Sequence, residues 1–160
     1  MRQAGFTLIE ILITLLLIGI ITSVAVVQLG ESDGRVIERE SERLSLLLDA
    51  ARDEAINSGR AMAWSSDGHG YQFWLQDEQN NWQSVATQDE FRARPLPEGM
   101  AVTKLSINLR EQPIGERVVF EPSGVNSPFH IDMQLGEQHW QLDGDVMGQV
   151  SASVVAADNG

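Results

Sequence analysis

The residue most out of place in this sequence is Glu10, the one charge in the run FTLIEILITLLLIGIITSVAVVQL from Phe6 to Leu29. A carboxylate at the centre of a bilayer costs roughly 3 kcal/mol, so an ionisable group in such a segment is read as functional and its partner is sought. The other residues with chemical potential read differently. His69, His130 and His139 are the only histidines, and no two have the spacing of a zinc finger or a zincin helix. They read as surface residues. Asp143-Gly144-Asp145 shares part of the pattern of a calcium loop but lacks the remaining oxygen ligands and the closing Glu, so it reads as a turn. Trp64, Trp74, Trp82 and Trp140 could stack a sugar or a base, yet in strand-forming runs they read as core or half-buried sheet residues. There is no cysteine, hence no thiolate site and no disulfide scaffold. No glycine-rich phosphate loop follows a strand, and the serines lie in no nucleophile elbow. The expectation is a protein without a catalytic constellation, metal, cofactor or small-molecule substrate.

Glu10 must be positioned by a helix. The run from Phe6 to Leu29 would rise about 36 Å, enough to cross a hydrocarbon core of about 30 Å. About 16 Leu, Ile, Val and Phe residues, each returning a few tenths of a kcal/mol, outweigh one carboxylate near the end of the span. Arg2 before it, with Glu31 and Asp33 after it, places the N-terminus in the cytoplasm and the rest outside. The alternative, a cleaved secretory signal with Ser23-Val24-Ala25 as its small-residue site, has too long a hydrophobic region and no use for Glu10.

Beyond the span, GESDG from Gly30 to Gly34 is a weak place for a helix and predicts a bend or fraying. Ile37, Leu44, Leu48, Ala51 and Ala55 then follow helical spacing, with Leu47 and Ile56 widening the stripe and charged residues on the other faces. Asn57-Ser58-Gly59 ends the helix, with Gly59 suited to the left-handed position past its last turn. After Gly59 the period becomes alternating. About eight short strands are divided by turn chemistry at Asp67-Gly68, Asn80-Asn81, Pro95 to Gly99, Gln112 to Gly115 and Pro122 to Pro128. Phe129 to Leu135 and Gln138 to Leu142, joined by Gly136-Glu137, fit a type II′ hairpin in which Met133 faces Trp140 and Ile131 faces Leu142. Its polar side would set His130 opposite Asp143 and His139 opposite Gln134. Residues after Ala156 should fray. The expected class is α+β: a long N-terminal helix, hydrophobic then amphipathic, packed on two antiparallel β-sheets.

The stretch Gly5-Phe6-Thr7-Leu8-Ile9-Glu10 resembles the prepilin signature of type IV pilins and type II secretion pseudopilins. In the body, Ala51 to Ile56 with Gly59-Arg60 and Trp64, then Phe91, Arg94, Leu96, Pro97 and Gly99, then Phe120, Pro122, Gly124, Pro128 and Phe129, resemble landmarks of the minor pseudopilin H group and related type IV minor pilins. The resemblance implies cleavage between Gly5 and Phe6 by a prepilin peptidase, methylation of the new Phe6 amine, and an assembly role for Glu10. A desolvated carboxylate needs a partner, and the cationic Phe6 amine of a neighbouring subunit would supply one. The implied organisation is a leader over 1–5, a transmembrane helix over 6–29, a periplasmic amphipathic half-helix over 30–58 and a β-rich periplasmic domain over 59–160. The implied location is the inner membrane.

The implied function is structural: a minor pseudopilin near the tip of a periplasmic pseudopilus that helps export folded proteins across the outer membrane, with other minor and major pseudopilins as partners. A type IV pilus minor pilin, including a DNA-uptake pilin, is the alternative. The cysteine pair found in many type IV minor pilins is absent here, which tilts the resemblance toward secretion. A formal net charge of −12, with Lys104 the single lysine, argues against nucleic acid as a partner, because such a body repels phosphate.

Overall fold

The computed structural model describes residues 8–28, 32–85 and 90–155, without the side chains of 21–28. It divides into an N-terminal unit up to Ser32 and a body from Asp33 onward.

The body is organised on helix α2, Asp33–Ser58. Ile37, Ser41, Leu44, Leu48, Ala51 and Ala55 recur at alternating steps of four and three and are all 0% exposed. Ser41, a polar residue outside the expected apolar stripe, joins it with its Oγ 3.8 Å from the Met133 sulfur. Leu47 is partly buried, as expected. Ile56 is not: one step past Ala55 it has turned about 100° from the stripe and is 45% exposed. Gly34, predicted to weaken the chain, is inside the first turns of α2, where Asp33 complements the positive end of the helix dipole. Gly30 and Glu31 of that weak stretch lie outside the described residues. Gly59, at φ +67°, ends the helix in the left-handed conformation.

Ten strands follow among the described residues: β1 Met62–Ser66, β2 Gly70–Gln76, β3 Trp82–Ser84, β4 Arg94–Pro95, β5 Met100–Ile107, β6 Arg110–Gln112, β7 Val118–Phe120, β8 Phe129–Leu135, β9 Gln138–Gly144 and β10 Val150–Val154. One sheet runs β3-β2-β1-β7 with β4 also on β2, and the other runs β10-β9-β8-β5-β6. All pairings are antiparallel, and α2 packs on strands of both sheets. The α+β expectation therefore holds for the body. The strand count exceeds the expected eight partly because Asn108 and Leu109 split β5 from β6, with φ of 53° and 63°. Positive φ at both central residues marks a type I′ turn, and Leu in that role is too unusual to be anticipated.

The β8–β9 hairpin has the register expected, with Met133 opposite Trp140 and Ile131 opposite Leu142. Gly136 is at φ +58° while Glu137 is not at positive φ, the combination of a type II′ turn. Phe120 of one sheet meets Phe129 of the other edge to face, centroids 6.0 Å apart, so the two sheets share one core. Strand β1 is buried on both faces. Its inner residues Met62 and Trp64 join the core. On its outer side, Trp74 donates from Nε1 to Ser65 at 2.9 Å, and the Arg117 guanidinium lies 4.4 Å from the Trp74 ring centroid and 5.8 Å from that of Trp82.

Strand β10 is an edge. Val155 donates to the His139 carbonyl and Asp145 to that of Gln149, so odd-numbered residues bond to β9 and even-numbered ones turn outward. The first outward N–H, that of Val150, donates to Asp49 Oδ1 of α2 at 3.1 Å. The helix thereby blocks part of the edge.

The N-terminal unit holds helix α1, Leu8–Gln28. Every large apolar side chain from Leu8 to Ile20 is at least 50% exposed within the chain. Among the described residues no helix is long and apolar enough to cross a membrane. The rest of the expected span, Phe6, Thr7 and the side chains from Ile21 to Leu29, lies outside them.

Candidate functional site

Glu10 sits in the first turn of α1. A negative charge is favoured there by the unpaired N–H groups at the helix start. Thr14 directs its hydroxyl to the Glu10 backbone carbonyl at 2.7 Å. The Glu10 side chain is exposed within the chain, among leucines and isoleucines that are exposed on every side. A helix apolar all round finds its burial in lipid or against other helices, and a carboxylate carried into either needs a cationic partner. Gly5 and Phe6, the expected cleavage and methylation residues, lie outside the described residues.

The remaining sequence candidates have ordinary structural duties. His130 does lie opposite Asp143, as expected, and its Nδ1 is 2.5 Å from Asp143 Oδ1. Its Nε2 is 3.1 Å from Asp132 Oδ1, while Gln141 holds the other Asp143 oxygen at 2.7 Å. Asp132 belonged to this cluster by the two-residue period of a strand and was missed. The two carboxylates therefore occupy the two ring nitrogens of His130. Among the described residues no group of three His, Cys, Asp or Glu is placed to hold a metal. His139 lies opposite Gln134 and is exposed, as is His69 in the β1–β2 turn.

Asp143-Gly144-Asp145 is resolved residue by residue. Asp143 serves His130. Gly144, expected in a turn, is the last residue of β9 instead, because the Phe129 ring covers it: a Cβ there would fall 2.1 Å from Phe129 Cε1. The turn starts at Asp145, whose Oδ1 accepts the N–H groups of Met147 and Gln149 at 2.8 and 2.9 Å.

The sequence pattern of the family described as type II transport protein GspH matches residues 40–148, and that of the prokaryotic N-terminal methylation motif matches residues 1–26. The chain belongs to the GspH family. Type II secretion system protein H of Pseudomonas aeruginosa PAO1 is 33% identical over 141 residues, covering 83% of this chain and 77% of that protein. The protein of the same description from Aeromonas hydrophila is 27% identical over 101 residues, covering 62% of this chain. The matched stretch spans 55% of that relative's length. The crystal structure of the minor pseudopilin EpsH from the type II secretion system of Vibrio cholerae shares the fold with a TM-score of 0.66 at 17% identity, covering 79% of this chain and all of that one. The solution structure of Escherichia coli GspH does so with a TM-score of 0.58 at 13% identity, covering 82% and 99%. These relatives favour the secretion-system branch over the pilus alternative.

Proposed function

We propose that this chain is a structural minor pseudopilin of a type II secretion system, incorporated near the tip of a periplasmic pseudopilus that helps move folded proteins across the outer membrane. The observation that carries this reading is the joining, in one chain, of an N-terminal methylation motif over residues 1–26 to a GspH body over residues 40–148. In this reading a prepilin peptidase cuts between Gly5 and Phe6 and the Phe6 amine is methylated. Residues 6–29 hold the protein in the inner membrane with its N-terminus cytoplasmic, residues 30–58 continue as the amphipathic half-helix, and residues 59–160 complete a periplasmic body. Glu10 pairs with the Phe6 amine of an adjacent subunit, and other minor and major pseudopilins are the partners. The chain catalyses no reaction and takes no cofactor.

Intact-mass analysis of protein extracted from membranes tests the processing step. The expected N-terminus is N-methylated Phe6. An uncut Met1, or a terminus at Val26 from signal-peptide cleavage, would overturn the prepilin assignment.

A further inference from the structure

Five of the body's exposed large apolar side chains, Ile56, Leu109, Val125, Val146 and Met147, lie towards one end, while Leu46, Ile114, Val154 and Val155 are scattered elsewhere. The β8–β9 turn marks the other end: a Cβ on Gly136 would fall 2.8 Å from Asp33 Oδ2, so that turn lies beside the start of α2. Opposite it, across the row Ile107, Phe129, Gly144 and Val150, three turns and the far end of α2 converge. A helix of 26 residues places that far end about 39 Å from Asp33. Asn126 donates from its backbone N–H to the Val146 carbonyl at 2.8 Å. A Cβ on Gly148 would meet both Asn126 and Arg52, and one on Gly124 would touch Ile56. Asn108 donates to the Pro128 carbonyl at 2.8 Å and to Ser127 Oγ at 3.1 Å. Here Ile56, Leu109, Val125, Val146 and Met147 are between 45% and 99% exposed.

The backbone that carries these side chains is held by hydrogen bonds. Asp145 pins Met147 and Gln149 through their N–H groups, and Gly148 donates back to the Asp145 carbonyl at 2.9 Å. Asn126, itself buried, ties its loop to Glu121 and Gly124. Leu109 is 99% exposed at φ 63°, a left-handed conformation that is unfavourable for a non-glycine residue and tolerated best by Asn and Asp. An apolar residue kept at the tip of a turn at a cost to folding is suited to a contact made outside the chain. Preorganised apolar groups lose little entropy when they dock.

We propose that this end of the body is a docking surface for a neighbouring subunit of the same filament, one presenting an apolar centre with a lysine or arginine rim. The inference rests on the filament reading above. Charge selects this occupant. Asp53, Glu121 and Asp145 are exposed at this end, Arg52 is paired with Asp53 at 2.7 Å and Asp49 at 3.6 Å, and the exposed Arg110 beside Leu109 offsets one of these charges and leaves the end acidic. A second copy does not fit: both carry −12, and the end it would present, at Asp33 and Glu137, is acidic as well. An anionic lipid surface is repelled for the same reason.

The test uses the full chain in host membranes with two variants, Leu109→Asn and Met147→Asp. Crosslinking to the other pseudopilins should fall at least tenfold in the double variant, with secretion falling in step and the mature N-terminus unchanged. Leu109→Asn alone should raise the unfolding midpoint while weakening crosslinking, an opposition that misfolding would not produce. Equal loss from Leu46→Asp, an exposed site in the middle of α2, would overturn the assignment to this end. Wild-type crosslinking in the double variant would overturn it too. If Glu10→Ala then still abolishes assembly, the filament reading stands alone; if Glu10→Ala is also silent, that reading falls with the docking surface. Two-fold self-association of the detergent-solubilised chain that Met147→Asp removes, or binding to phosphatidylglycerol vesicles that it removes, would assign the surface to a second copy or to lipid and overturn the proposal.

Discussion

Glu10 and Asp77 are both carboxylates whose surroundings decide their worth, in opposite ways. Glu10→Ala should leave insertion and folding of the body intact, since the described residues of the body's core begin at Ile37. Assembly should weaken, because removing one partner of a desolvated pair leaves the other charge uncompensated, at roughly 3 to 5 kcal/mol in comparable settings. Crosslinking to partner pseudopilins at equal protein level measures this. Asp77 is half-exposed and closes the β2–β3 turn, accepting from Asn81 N–H at 2.8 Å, from the Gln83 amide at 2.9 Å and from Gln79 N–H at 2.9 Å. These donors, the Asn81 N–H foremost, hold its carboxyl below the ordinary value of 3.8. A carboxyl lowered in the folded state stabilises it above the unfolded value, and that contribution is lost as pH falls through the lower folded value. Wild type should therefore be more stable than Asp77→Asn at about pH 5 and lose that lead by about pH 2, as denaturant unfolding at each pH would record. Asn80-Asn81 was legible as a turn. The role of Asp77 was not, because its three donors sit two to six residues downstream and their convergence is a property of the folded loop.

At the scale of elements, α2 is the floor on which both sheets close. A fragment beginning near Gly30 should fold as a soluble monomer, whereas one beginning at Gly59 loses Ile37, Leu44, Leu48, Ala51 and Ala55 from the core and exposes the inner sheet faces. Urea denaturation compares them, and equal midpoints would show that the helix does not cover the sheets. The stripe and the β8–β9 hairpin were legible because in each a period and a terminating glycine agreed. Three features were not. Ser41 breaks the apolar rule that defines the stripe, Leu109 occupies a position where glycine would have announced the turn, and the β5–β8 register shift between Val102 and Lys104 needs a partner strand to be seen at all.

The whole molecule is acidic, and that governs what it can approach. The body should bind duplex DNA negligibly at physiological salt, because its net charge opposes the phosphates. A gel shift at micromolar protein checks this, and binding there would revive the uptake-pilin alternative. Gly5, Phe6 and Glu10 are proposed from six consecutive residues, but the apolar end of the body could not be proposed that way, since it is assembled from α2 and three separate turns. The contact of Asp49 with Val150 joins equally distant parts and carries a consequence for synthesis. The two residues are 101 positions apart, and Asp49 comes first. At about 5–20 residues per second the ribosome exposes Asp49 roughly 5–20 s before Val150. The last strand therefore emerges beside a helix that has already been made, and the outward N–H of Val150 meets its acceptor on arrival. A circular permutant that delivered β10 before α2 would reverse this order, and the outward N–H of Val150 would have to wait for its acceptor.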